Sequence, residues 1–196
     1  MHSKFSGRPA VIIGTGPSLA DQADAIRKST AVRFGVNNTF NDFTLDVWIA
    51  CDPQWHETYS PVKGEFEKWH WDEGVCRRYG YQYIPGRWAD GLSLDPGYIH
   101  YNHSSSAQAL NLAVLYGCRP IYLAGFDMNY SGRRHYFDNL SEKEGEYPAH
   151  LRKYSEFDGL IECFEKIAAQ PGLPPIFNLT EHSALSCFPF RGIECL

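Results

Sequence analysis

The run Val11-Ile12-Ile13-Gly14-Thr15-Gly16-Pro17-Ser18-Leu19 leaves this chain few ways to fold. Its opening apolar residues read as a buried strand. Gly-Thr-Gly permits a tight turn and a close backbone approach to a ligand. Pro17 and Ser18 then suit the first turn of a helix, where N–H groups lack partners. Strand, glycine turn and helix N-terminus together make a place to hold a phosphate, through backbone N–H groups and the helix dipole. Neither common phosphate loop is present. No Lys-Ser or Lys-Thr follows the second glycine, as a Walker A loop requires. Leu19 stands where the dinucleotide fingerprint wants a third glycine or alanine. A plain strand-to-helix turn without ligand is the competing reading.

Beyond that turn, strand and helix patterns alternate. This predicts an α/β fold, a single Rossmann-like domain with a mainly parallel sheet flanked by helices. A chain of 196 residues is long enough for one full core. Strands are expected at residues 10–13, 31–36, 46–50, near 81–84, 120–124 and 175–179. Helices are expected at residues 18–28 and 150–169. Ala109, Leu112, Ala113 and Tyr116 recur at helical spacing, so residues 105–116 are expected to form an amphipathic helix ended by Gly117. Residues 54–103 are harder to read, and a helix is offered over 61–70. The polar stretch 130–148 has the length of a lid or active-site loop.

In an open parallel sheet, ligands bind outside the carboxyl ends of the strands. The residues just past each expected strand therefore make a candidate site: Gly14, Thr15 and Gly16, then Asn37 and Asn38, Asp52, Asp127, and Asn178 to Thr180. Asparagine offers a donor and an acceptor, as reading a ribose or a base edge needs. A nicotinamide enzyme would prefer an acidic residue at the second strand end, so Asn37 favours a mononucleotide. Each of these residues could equally cap a turn. Ser104, Ser105 and Ser106 open a helix; one serine suits an N-cap, and the other hydroxyls can face a phosphate. Among the histidines, His150 is the candidate for proton transfer, with His135 and His182 as competitors. No Gly-x-Ser-x-Gly elbow supports a Ser-His-Asp hydrolase.

Lys and Arg number 18 against 23 Asp and Glu, with no clustering of the kind a nucleic-acid interface needs. The six cysteines form no Cys-x-x-Cys pair, which argues against zinc. Cys51, Cys118 and Cys163 read as small buried hydrophobes. No signal-peptide pattern and no membrane-length apolar run is found, so a cytoplasmic location is expected.

Several of these motifs are familiar together. Val-Ile-Ile-Gly-Thr-Gly-Pro-Ser-Leu, Val-Asn-Asn-Thr-Phe, Ser-Ser-Ser-Ala and Ala-Val-Leu-Tyr-Gly-Cys-Arg-Pro-Ile-Tyr-Leu-Ala-Gly-Phe-Asp occur here in that order. They resemble the bacterial sialyltransferases of glycosyltransferase family forty-two. They are also similar to a wider group, which includes archaeal-type 6-hydroxymethylpterin pyrophosphokinases and motility-associated flagellin-glycosylation proteins. The closing Asn-Leu-Thr-Glu-His-Ser-Ala-Leu-Ser-Cys-Phe-Pro is similar to a motif of that wider group, some of whose members are carried by phages.

The sialyltransferase resemblance implies nucleotide contacts at Gly14, Thr15, Gly16 and Ser18, at Asn37 or Asn38, and at Ser104, Ser105 and Ser106. It implies phosphate contacts at Tyr130 and Tyr136, and a general base at His150. Its ligands would be a cytidine-type nucleotide sugar and a small-molecule or glycan acceptor, with no metal. Thr15 stands where those enzymes carry Asn, and Ser106 where they carry Gly. The pyrophosphokinase resemblance implies instead a magnesium-dependent diphosphotransferase with Asp52 and Asp127 as ligands. A non-catalytic nucleotide-binding module and self-association into a homo-oligomer both stay open at this stage.

Overall fold

The sequence order of apolar segments becomes one sheet because its central strands bury both of their faces. In the computed structural model, which describes residues 4–102, 104–129, 136 and 157–196, seven strands lie in the order β5-β4-β3-β2-β1-β8-β9, every neighbouring pair parallel. They are β1 (Ala10–Ile13), β2 (Val32–Val36), β3 (Val47–Ile49), β4 (Glu67–His70), β5 (Gln82–Tyr83), β8 (Ile121–Ala124) and β9 (Ile176–Asn178). A separate parallel pair joins β6 (Gly86–Arg87) to β7 (Ile99–His100). The fold is α/β and Rossmann-like, as the alternating pattern predicts.

Alternation within the strands divides the interior in two. Ala10 and Ile12 face one apolar cluster, with Phe34, Leu110, Leu112, Phe164 and Ile167. Val11 and Ile13 face the other, with Leu19, Ile26, Trp48, Trp55 and Tyr122. The first cluster lies under α4 (Ser105–Leu115) and α5 (Phe157–Ala168), the second under α1 (Leu19–Lys28), α2 (Pro53–Tyr59) and α3 (Glu73–Tyr79). Such doubly covered strands read as continuous apolar runs, and β1, β3 and β8 are buried throughout.

Two expectations need correction. Residues 67–70, inside the stretch offered as a helix, form β4 and pair with β3 at Val47–Glu67 and Ile49–Trp69. Proline and a positive-φ glycine, Pro61 and Gly64, sit where that helix would have started. Residues 105–115 do form a helix, but not an amphipathic one. Leu110, Leu112 and Ala113 are buried with the sheet, and Gln108 and Asn111 are buried as well. The Asn111 amide explains the second covered face: its Oδ1 accepts from Ser93 N (3.0 Å) and His100 N (2.9 Å), and its Nδ2 donates to Ser93 O (2.8 Å). It satisfies the backbone of the segment that covers it. Finally, α2 and α3 lie in a region whose helices the sequence pattern does not reveal. The expected stretch 130–148 and the first residues of the last helix lie outside the described residues, apart from Tyr136.

Two glycines test this packing in opposite directions. A Cβ on Gly35, within β2, would stand 2.4 Å from Leu45 Cδ1 and from Thr39 Oγ1. Gly35→Ala should therefore destabilise by about 1–3 kcal/mol through overpacking. Gly159, inside α5, has nothing within 4 Å of such a Cβ. Gly159→Ala should stabilise by roughly 0.5–1 kcal/mol, since glycine weakens a helix interior. Chemical denaturation of the two variants would show both signs.

Candidate functional site

All seven strands of the main sheet point the same way, so the segments after them gather on one edge. Strand order reverses between β1 and β8: from β1 the chain steps outward through β2 to β5, then returns to β8 on the other side. In open α/β sheets this reversal is the usual ligand crevice.

Here the crevice is filled by the protein itself. Asp127, following β8, turns its carboxylate onto the first turn of α1. Ser18 N donates to Oδ1 at 3.1 Å, and Ser18 Oγ donates to Oδ2 at 2.8 Å. Thr180, after β9, accepts from Phe126 N (3.2 Å) and lies 3.3 Å from Ser18 Oγ. Since the serine gives its proton to Asp127, the threonine gives its own to the serine. Gln22, buried in α1, accepts from Gly125 N and donates to Leu179 O, both at 2.8 Å. The helix dipole that favours a phosphate at α1 thus already holds a carboxylate.

This arrangement also explains the glycines. Gly14 N donates to Ala124 O (2.8 Å) and Gly16 N to Gly125 O (2.9 Å). A Cβ on Gly14 would lie 2.7 Å from Gly125 O, and one on Gly16 would lie 2.0 Å from Asp127 Oδ2. Close approach is required, as the sequence implied, but the group approached is the chain's own β8 end.

On the other side of β1 the edge is built differently. Ser104 caps α4, accepting from Ser106 N (3.1 Å) and Ala107 N (3.4 Å). Ser105 Oγ then reaches the ends of two strands. It accepts from Cys51 N at 3.0 Å, and its proton faces Asn37 Oδ1 at 3.2 Å and Cys51 Sγ at 3.1 Å. Asn37 adopts a left-handed φ of 46°, which asparagine tolerates better than most residues. Its carbonyl accepts from Trp48 Nε1 at 2.9 Å. Asn38 Oδ1 accepts from Trp55 Nε1 at 2.9 Å, which commits that side chain to the fold. Cys51 is half-buried at this edge rather than a core residue like Cys118, and burial pushes its thiol up despite the bond to Ser105. The anchoring role of the Trp48 and Trp55 indoles has no signature in the sequence.

The two aspartates each serve a different helix. Asp52 caps α2, its Oδ1 accepting from Gln54 N at 2.9 Å. Asp127 is committed to α1. Strands β2 and β1 lie between their parent strands β3 and β8. Three strand spacings put those parent strands about 14 Å apart, and each carboxylate is engaged at the start of a different helix. Among the described residues no group of three or more His, Cys, Asp and Glu could hold a metal, and no helix is long and apolar enough to cross a membrane.

Tyr136 reaches this edge by its backbone: its N–H donates to Thr15 O at 2.8 Å. Its hydroxyl donates to Asp42, which also pairs with Arg27. Burial and that carboxylate push the phenol above its ordinary range. The ring is thus turned toward α1. His150, His135 and Tyr130 lie outside the described residues.

Compared with protein-family models, curated proteins and solved structures, the chain matches none.

The packed crevice makes a prediction. Gly16→Ala and Asp127→Ala should each destabilise by about 1–3 kcal/mol, the first by collision and the second by leaving buried donors unpaired. The double variant should cost less than the sum, because removing the carboxylate makes room for the new methyl. Strict additivity in urea denaturation would show that the two groups do not meet.

Proposed function

We propose that the chain is a nucleotide-binding transferase, and specifically a glycosyltransferase using a nucleotide-activated sugar. The observation that carries this reading is the bridge from Ser105 Oγ to Cys51 N and Asn37 Oδ1. It sets the opening turn of α4 against the ends of β2 and β3. Beside the crevice that Asp127 occupies at β1 and β8, this part of the edge is where the proposed ligand would sit. It offers what a nucleotide needs. The positive dipole end of an eleven-residue helix and the Ser106 hydroxyl favour a phosphate, and Asn37, its Oδ1 held by Ser105, keeps its amide N–H groups to donate.

The chemistry comes from the resemblance noted in the sequence. An acceptor hydroxyl attacks the sugar's anomeric carbon as the bond to the nucleotide phosphate breaks. His150 takes the hydroxyl proton. The leaving phosphate, which gains charge, is stabilised by the Ser106 hydroxyl and the dipole of α4, while Ser104 and Ser105 hold that turn in place. Asp127 serves this reaction indirectly, by fixing the Gly14–Gly16 turn that borders the cleft. Under this reading Asp52 and Asn38 shape the edge; the metal-dependent alternative would draw Asp52 and Asp127 away from their helix starts.

Calorimetric titration with cytidine nucleotides and nucleotide sugars tests the proposal. Ser105→Ala should weaken binding about tenfold or more, the loss of roughly 1.4 kcal/mol or greater. His150→Ala should leave binding unchanged and lower turnover by roughly a hundred- to ten-thousand-fold. Absence of any nucleotide binding at millimolar ligand, or equal affinity in Ser105→Ala, would overturn the reading.

A further inference from the structure

The ends of β3 and β4 are held by two histidines that the proposed chemistry does not use. His56, in α2, and His70, closing β4, are both buried, at 1% and 0% exposure. Their rings meet edge to face with centroids 4.8 Å apart. The partners assign the proton on each ring.

His56 sits in a directed chain. Val62 N donates to Tyr81 Oη (3.0 Å), and Tyr81 donates to Ser60 Oγ (2.9 Å). Ser60 then donates to His56 Nδ1 (2.9 Å), and His56 Nε2 donates to Ala50 O (3.0 Å). Each donor has one acceptor only if His56 is neutral with its proton on Nε2. His70 Nδ1 accepts from Asp72 N at 2.8 Å, so a neutral His70 also carries its proton on Nε2, a buried atom without a hydrogen-bond partner.

A second proton disturbs both bonds. On His70 it must go to Nδ1, where it faces the Asp72 N–H, donor against donor. Asp72 cannot easily compensate, because its carboxylate caps α3 by accepting from Val75 N at 2.9 Å. On His56 the proton also goes to Nδ1, and the Ser60 hydroxyl loses its acceptor. Two charged rings at this separation would repel.

We propose that the His56–His70 pair is an acid-sensitive latch: neutral, it fixes the carboxyl ends of β3 and β4, and proton uptake releases the first turn of α3 and the β4 end. Cys51, Asp52, Trp71 and Asp72 then loosen together. The latch stands on its own hydrogen bonds and does not depend on which ligand the neighbouring cleft takes.

The groups facing the pair come from every side. Asp52 at the start of α2 favours a charged His56, and Asp72 at the start of α3 favours a charged His70. Tyr79 and Tyr81 pack on His56, and Cys76 Sγ donates to His70 O. A cavity of about 310 Å³ between α2 and α3, lined by His56, Asp72 and Tyr79, adds Glu57 and Arg78. Glu73 stands in the first turn of α3. Burial outweighs the carboxylates: both rings are held below their ordinary range, His70 at about 4.

The direction of the pH dependence is set by these shifts. An opened or unfolded chain takes up protons near pH 6.5, whereas the latched rings do not. Opening therefore becomes easier as pH falls from about 6.5 toward 4, and is independent of pH above about 7.

Hydrogen exchange of the Asp72 amide, corrected for intrinsic rate, reads this directly. Protection should fall by up to about tenfold per pH unit through His70 between roughly pH 6.5 and 4.5, and more steeply where His56 contributes. In His70→Asn the amide oxygen can accept from Asp72 N without titrating, so the contribution of His70 to that fall should vanish. Constant protection in the wild type, or an identical fall in His70→Asn, would overturn the proposal. Should that variant fail to fold, imidazole nitrogen shifts of the wild type decide. His70 must remain neutral until Asp72 loses protection, and protonation without that loss would sink the latch.

Discussion

The Asp127 carboxylate on the first turn of α1 is the contact on which the rest of this edge depends. It places a negative charge where the helix dipole and a free N–H favour one. Thr180, Ser18 and Gln22 complete the arrangement, so the ends of β1, β8 and β9 are tied through side chains as well as through the sheet. A ligand phosphate at α1 would have to displace an anion that is already covalently part of the protein. That competition is unfavourable because the internal carboxylate loses no translational freedom on binding.

The edge therefore has two characters. On the β8 side of β1 it is closed by direct polar contacts. On the β2 and β3 side it is held from behind, by the indoles of Trp48 and Trp55 and by the imidazole of His56, each bonded to an atom in the segment just after a strand or at its end. These rings lie in the apolar layer below the edge and place Asn37 and Ala50 without occupying the space above them. Aromatic groups suit this task because one polar atom reaches the backbone while the ring body remains packed.

Most of the sheet is legible in the sequence because buried parallel strands announce themselves. Val11-Ile12-Ile13 and Ile121-Tyr122-Leu123 leave little choice, and the glycine turn is recognisable as a point of close approach. The partner in that approach is not legible. Nothing local distinguishes Asp127 as a cap for a helix more than a hundred residues earlier, so a phosphate is the natural expectation. The helices α2 and α3 carry ordinary signals: Asp52-Pro53 at one start, Asp72 at the other, Gly80 in a left-handed conformation at an end. They are obscured by their shortness and by the crowd of aromatic residues around them. The polar Asn111 and Gln108 make α4 look one-sided, because a sequence does not show which backbone a buried amide will satisfy. Asp52 and Asp127 look like a pair since both come after strands; strand order, which is tertiary information, separates them.

The position of β1 between β2 and β8 also has a consequence for how the chain is made. One neighbour is synthesised about twenty residues after β1 and the other more than a hundred residues after it. At translation speeds of roughly 5–20 residues per second, the β8 edge of Val11-Ile12-Ile13 waits several seconds for its partner. During that interval an apolar strand with unpaired backbone groups is available to other nascent chains. A fully buried strand of the finished sheet is thus its most vulnerable element on the ribosome, and yield of native protein should be governed by how quickly residues 121–124 arrive.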